Sequence, residues 1–157
     1  MANYEWSTRE AIGDIGRGLK VEATTYPIVT GQNAVFTIGG GRILLLDLVG
    51  IVTVQLEAAA LLLHWDCDMD IGGDAALSVD SADLTGDVIG TQYLMPAAAG
   101  GAMTVPAGGA YLRLFPALGW VVNTGALDLH ASAGNTGGIR WTAFYYPLDD
   151  GAYLQAA

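Results

Sequence analysis

The amino-acid sequence predicts an all-β fold, a β-sandwich or barrel of about eight to ten short strands. Three observations carry this. From Thr24 onward short apolar runs alternate with turn signals, 22 of the 157 residues are glycine, and no long amphipathic helical pattern occurs. Glycine weakens regular elements but serves tight turns, so its abundance suits a chain that reverses direction often. At 52% hydrophobic and 14% charged residues, the chain fits one domain that buries its own core. A mean hydropathy of +0.40 leaves surplus apolar surface, which predicts contacts between subunits as its cover.

Residues 1–23 read differently from the rest and are expected to form an N-terminal arm, with the sandwich over residues 24–157. Ser7-Thr8-Arg9-Glu10 has capping-box spacing, and Ile12 and Ile15 can share a helix face. Gly13, Gly16 and Gly18 interrupt that face, each at a cost of about 1 kcal/mol against alanine inside a helix. Tyr4 and Trp6 stand in a segment too rich in glycine to pack on itself, and Arg9, Arg17 and Lys20 are three of the six basic residues. That composition suits an arm that becomes ordered on another surface. Its simpler reading is a solvated tail.

The elements follow in order. Ala34–Ile38 is strand-like, and Gly39-Gly40-Gly41 turns the chain into Ile43–Val49, an apolar run that suits a strand buried on both faces. After Gly50, Val52, Val54 and Leu56 alternate with Thr53, Gln55 and Glu57, the period of a strand with one wet face. Ala58–Leu63 has helical propensity but runs straight into a period-two pattern, so it is read as strand. In that pattern Trp65, Cys67, Met69 and Ile71 fall on one face, and His64, Asp66, Asp68 and Asp70 on the other. Gly72-Gly73-Asp74 turns into Ala75–Val79, Ser81–Gly86 is a polar loop, and Val88–Leu94 is a further strand. Residues 96–109 are a connection rich in Ala, Gly and Pro, with Met103-Thr104-Val105 as a short strand inside it. Tyr111–Phe115, Trp120–Val122 and Ala126–Ala131 complete the set. Ala133–Gly138 gives the best hairpin signal, joining that last strand to Ile139–Tyr146, which Pro147 ends.

Charge excludes one class of partner. Sixteen acidic against six basic residues give a net charge of −10, which opposes direct contact with nucleic acid, since phosphates need clustered Lys and Arg. The single cysteine, Cys67, rules out an internal disulfide and suits a small core residue better than a nucleophile. The start Met-Ala-Asn-Tyr-Glu-Trp is unlike a secretory signal, and Asp47 and Gly50 interrupt the longest apolar run, too short for a membrane span. The expectation is a protein made in the cytoplasm, with no membrane partner.

Several groups invite a chemical reading. Asp66-x-Asp68-x-Asp70 has the opening spacing of a calcium loop, but Ile71 stands where the loop needs glycine and Leu77 where it needs glutamate. A solvated strand face explains it better; were a cation to bind, Asp74 and His64 would be the nearest helpers. Asp128, His130 and Ser132 have the residue types of a triad, yet on a strand they lie side by side instead of handing hydrogen bonds in series. His64, His130 and Cys67 make a weak zinc set. Gly39-Gly40-Gly41-Arg42 lacks the Lys-Ser/Thr of a phosphate loop, and Asp149-Asp150 fits a solvated turn. Trp120, Trp141, Phe144, Tyr145 and Tyr146 can line a sugar-binding face, although strand aromatics more often fill a core or a subunit interface. No catalytic, cofactor or metal residues are assigned, and no enzymatic activity or cofactor is expected.

The stretch Phe36–Gly40 followed by Ile43–Thr53, together with Asn135–Leu148, resembles the small virion proteins of tailed bacteriophages, among them capsid decoration or cement proteins. The likeness covers most of residues 30–157 and is one of strands and turns. It implies a jelly-roll-like β-sandwich, a homotrimer, and a role in stabilising the capsid by bridging subunits of the major capsid protein at the virion surface. Tyr4, Trp6, Arg9 and Arg17 are then the expected contacts of the arm. The competing expectation is a receptor- or glycan-binding module of a tail or head fibre that uses Trp120, Asp68 and their neighbours.

Overall fold

The computed structural model describes residues 18–96, 100–105 and 119–157. Among these are ten strands and no helix: β1 (Leu19–Thr25), β2 (Gly31–Gly39), β3 (Ile43–Val54), β4 (Leu63–Met69), β5 (Ala75–Ala76), β6 (Gln92–Leu94), β7 (Trp120–Val122), β8 (Gly125–Ala131), β9 (Gly138–Pro147) and β10 (Tyr153–Ala156). They form two antiparallel sheets that face each other as a β-sandwich. The first runs β1-β9-β3-β6, with β7 also on β3; the second runs β10-β2-β8-β4-β5.

The pairings are nested. β4 pairs with β5, β3 with β6, β2 with β8 and β1 with β9. The chain is thus one long hairpin whose tip lies between β4 and β5, rolled so that β9 also meets β3 and β8 also meets β4. Rolling follows from the period-two pattern. Each strand of the hairpin carries an apolar face, and only a second sheet can cover it.

The covered faces meet at a centre of large rings. Trp65 of β4 and Trp141 of β9 are both fully buried and cross edge to face with centroids 4.9 Å apart. Phe36 of β2 and Tyr93 of β6 flank them at 6.2 Å. Around these lie Ile38, Leu45, Leu48, Leu127, Leu129 and Ile139, all buried. Directly across from Trp141 on β3 is Gly50, where a Cβ would stand 2.5 Å from Trp141 Cζ3. A residue without a side chain is what lets the indole lie flat against β3.

The structure departs from sequence expectation at definite places. β1 begins at Leu19, so residues 19–23 of the expected arm belong to the first sheet, paired with β9; residues 1–17 lie outside the described residues. Ile43–Val49 and Val52–Val54 are one strand, interrupted by a bulge between Leu45 and Asp47. That strand is not buried on both faces, since Leu44, Leu46, Val49 and Ile51 stay half-exposed. Ala58–Leu62 is irregular; β4 starts at Leu63 once the Asp83 carboxylate and the Ser132 hydroxyl have accepted the Leu61 and Leu62 amides. The strands expected at Ala75–Val79 and Val88–Leu94 shrink to β5 and β6, and Val88 and Ile89 project into solvent. Ala102 and Thr104 make only isolated bridges, and Tyr111–Phe115 falls outside the described residues.

The largest departure is at Ala133–Gly138, which does not close a hairpin. β8 and β9 lie in opposite sheets, so this segment crosses the sandwich. Leu127 and Leu129 on one side, and Ile139 and Trp141 on the other, all need the same core. Facing sheets stand about 10 Å apart, a gap that the segment between Ala131 and Gly138 is long enough to cross. Asn135 holds the crossing. Its backbone exchanges hydrogen bonds with Ile28 (both 2.9 Å), and its side-chain Oδ1 accepts from Glu57 N (3.1 Å) and Gly137 N (2.8 Å).

A second corner closes the other end. Gly40, at φ +72°, turns against the Gly151 carbonyl, where any side chain would collide. Beside it the Arg42 guanidinium grips Asp149 through two bonds (Nε–H to Oδ2 2.9 Å, Nη2–H to Oδ1 2.8 Å), and the Arg42 amide adds a third at 2.8 Å. These bonds hold the Asp149 carboxyl down at about 2.

Two outcomes follow. Gly50→Ala forces the Trp141 ring off its seat and lowers unfolding free energy by about 1–3 kcal/mol, measured by denaturant titration. Asp149→Asn lowers Tm at neutral pH. Because the folded carboxyl titrates near 2 and the unfolded one near 3.9, the stability that it adds is full above the unfolded value and fades as pH falls toward the folded one. The gap between the two proteins therefore closes in acid, and a gap that stays constant down to that range would refute the assignment.

Candidate functional site

The two sheets present unlike outer faces. On the second sheet β2, β8 and β4 turn Gln32, Asp128, His130, His64, Asp66 and Asp68 outward, while Leu127, Leu129, Trp65 and Cys67 point in. Register sets His64 directly across from His130 and Asp66 directly across from Asp128. The imidazoles stack, with centroids 4.5 Å apart and 15° between planes. His64 Nδ1 lies 2.6 Å from Asp80 Oδ1, and its Nε2 lies 3.1 Å from Asp66 Oδ2. Carboxylates only accept, so only a doubly protonated imidazole donates to both. Asp128 is buried, and its Oδ2 accepts from Gln32 Nε2 at 2.6 Å.

Beside this ridge a cleft of about 300 Å³ is lined by Gln32, Asp66, Cys67, Asp68, Asp74, Ala75 and Ala76. Asp74 repels Asp68 and, with desolvation and with Asp128 and Asp70 adding, raises the Asp68 carboxyl above its ordinary value. Burial, reinforced by Asp66 and Asp128, pushes the Cys67 thiol up to about 12, which keeps it protonated at neutral pH and unsuited to attack.

The residues singled out in the sequence scatter. Asp66, Asp68 and Asp70 line the rim of the face, and among the described residues no set of three or more His, Cys, Asp or Glu is placed to hold a metal ion. Asp128, His130 and Ser132 each serve a different partner: Gln32, the His64 ring, and the Leu62 amide, which donates to Ser132 Oγ at 2.9 Å. Gly39–Arg42 forms the corner with Asp149. Trp141 and Tyr145 point into the core while Phe144 and Tyr146 face outward, so the aromatics make no single platform. Tyr4, Trp6, Arg9 and Arg17 lie outside the described residues. Asp80, the closest partner of His64, carries no sequence signal; it sits 16 positions away in an irregular stretch.

The outer face of the first sheet is different. Val121 of β7, Leu44 of β3 and Tyr146 of β9 form one apolar row across three strands. Leu46 and Phe144 extend it, and Gly18 donates its amide to the Tyr146 hydroxyl at 3.1 Å. Toward β1 the face becomes polar, with Lys20 paired to Glu22 (3.0 Å) and Arg140 nearby. At the far end of β3, Val54, Val88 and Ile89 are exposed, Ile89 by 66%.

The acidic face makes a testable statement about charge. A carboxyl raised in the folded state contributes stability that is lost as pH rises through its folded pKa. Asp68→Asn removes the repulsion from Asp74 and raises Tm at neutral pH, with no difference from wild type once both carboxyls are protonated. A lower Tm at neutral pH counts against repulsion as the governing effect.

The chain matches no protein-family model, no curated protein and no solved structure.

Proposed function

We propose that the protein is a non-enzymatic assembly module, a decoration protein that bridges subunits of the major capsid protein on a bacteriophage head as a homotrimer. The observation that carries this reading is the opposed chemistry of the outer faces: one sheet is acidic, and the other carries an apolar row across β7, β3 and β9. A particle coat built from such units turns its charge outward and its apolar surface toward neighbours. The nested strand order, β1-β9-β3-β6 over β2-β8-β4-β5, supports a jelly-roll reading, the double-sheet form found in capsid proteins. Gly18, the first described residue, lies against Leu46 and Tyr145 beside the apolar row. From there an arm of 17 residues can reach about 55–60 Å when extended, enough to engage an adjoining subunit.

Two measurements test the reading. Deleting residues 1–17, which leaves β1 whole, abolishes binding to the phage head, seen by imaging particles with and without the arm. Val88→Asp with Ile89→Asp reduces the solution trimer to folded monomers by sedimentation, with a Tm that no longer depends on protein concentration. Wild-type protein that sediments as a monomer and never decorates heads overturns both the trimer and the capsid role.

A further inference from the structure

The aromatic side chains between the sheets make a continuous line of rings that ends at a carboxylate. Trp65 meets Trp141 edge to face at 4.9 Å, and Trp141 meets Tyr93 at 6.2 Å with 32° between planes. All three are fully buried. The Tyr93 hydroxyl donates to Asp87 Oδ2 at 2.8 Å, and Asp87 is half-exposed. Trp141 on β9 and Tyr93 on β6 are separated by β3, where both stand across from Gly50. Because Gly50 carries no side chain, the two rings meet over the intervening strand. The line lies inside the sandwich, so its chemistry goes beyond the assembly reading and does not rest on it.

The rings differ in where a proton can go. Trp65 Nε1 and Trp141 Nε1 are buried with no hydrogen-bond partner among the described residues, and an indole N–H can only donate. An indole that loses an electron there becomes a cation with nowhere to send its proton, and an uncompensated positive charge in an apolar core is costly. Tyr93 is placed differently. Burial, with the hydrogen bond to Asp87 and the charge of Asp87 adding, raises its phenol above the ordinary value, so the group that faces Asp87 holds its proton. The acceptor stands within the range of direct proton transfer. Its backbone is anchored as well: the Asp87 carbonyl accepts from Leu56 N at 3.0 Å, and the Asp87 amide donates to the Leu84 carbonyl at 3.2 Å.

Electron and proton therefore leave Tyr93 in different directions. One electron passes from Tyr93 to the Trp141 radical cation while the phenolic proton passes to Asp87 Oδ2. The products are neutral Trp141, a neutral Tyr93 phenoxyl radical and a protonated Asp87 carboxyl. The positive charge on the indole and the negative charge on the carboxylate are both consumed, which is the gain that drives the step. We propose that Trp65, Trp141, Tyr93 and Asp87 form an internal one-electron relay, which moves an oxidising equivalent from the paired indoles to Tyr93. The oxidant is light or an inorganic radical that removes one electron from either indole. A small one-electron reductant of the ascorbate class closes the cycle: it gives Tyr93 an electron, and Asp87 returns the proton.

The test is laser photoionisation of the full chain, with hexaamminecobalt(III) present to trap the ejected electron, followed by transient absorption and electron spin resonance. The expected result is an indole radical that converts to a tyrosyl radical, more slowly in D2O than in H2O because a proton moves with the electron. Asp87→Asn still accepts the phenol's hydrogen bond but is no base, and it slows the conversion by about tenfold, the effect of a charge-assisted bond lost from the transition state. Tyr93→Phe, which keeps the ring, lengthens the life of the indole radical by about tenfold or more and abolishes the tyrosyl signal that grows as it decays. Tyr153→Phe, at an exposed tyrosine, leaves both unchanged. A tyrosyl radical that forms at the wild-type rate in Tyr93→Phe overturns the proposal, and so does an indole radical that never converts in the wild type. An unchanged rate in Asp87→Asn or in D2O overturns it as well. Those last two measurements leave the core side chains intact, so they decide the matter even where Tyr93→Phe does not fold.

Discussion

Trp65 and Trp141 belong to different sheets and to distant parts of the chain, yet their rings meet at 4.9 Å in the middle of the sandwich. Everything else is arranged so that they can. β4, which carries Trp65, lies at the tip of the long hairpin; β9, which carries Trp141, lies near its open end, paired with β1. Only rolling the hairpin brings tip and end together. The gain is large, since burying aromatic surface outweighs any single local contact. The constraint is equally strict, because Gly50 must stay bare where Trp141 crosses β3. One glycine in an otherwise apolar strand is thus a packing requirement, and the half-exposed residues around it follow from a strand that is covered on one side.

Once the rings fix the roll, the corners decide its tightness. At one end Asn135 joins the Ile28 corner to the crossing between β8 and β9, and its side chain reaches Glu57 as well. At the other, Arg42 and Asp149 clamp two turns. Both devices satisfy backbone groups where ladders end, which a sandwich must do at every change of sheet. Where the edges of β1 and β10 approach, Thr25 Oγ1 is buried without a hydrogen-bond partner among the described residues.

Much of this fold was legible in the sequence, for reasons that are local. The alternation from His64 to Ile71 predicted which side chains face inward; Trp65 and Cys67 are buried as it required, whereas Ile71, beyond the end of β4 at Met69, is exposed. Gly39-Gly40-Gly41 turned as expected because positive φ is a local demand. What was not legible depends on partners far along the chain. Ala133–Gly138 has the composition of a hairpin turn, and composition cannot distinguish a turn within a sheet from a crossing between sheets. Ala58–Leu62 is held by Asp83 and Ser132, residues with no periodic relation to it. The cross-strand His64–His130 pair follows from a register that only the folded sheet sets.

The acidic face raises a physical question about its own stability. Asp66 and Asp128 stand directly opposite each other, an arrangement that costs energy between like charges. The described cations do not relieve it: Lys20 pairs with Glu22, Arg42 with Asp149, and Arg140 lies beside Glu22. Relief comes from Gln32, which donates to Asp128, and from His64, which stands between Asp66 and Asp80. Both are small, local remedies, and water must do the rest. A neighbour that covered this face would strip that water and owe several desolvated carboxylates a compensating charge. The apolar row of Val121 and Leu44 asks for no such compensation, and covering it releases water at a gain. The charge pattern therefore sets a difference in cost: a neutral or acidic neighbour would lose less by covering the apolar row of the first sheet than by covering the carboxylates of the second.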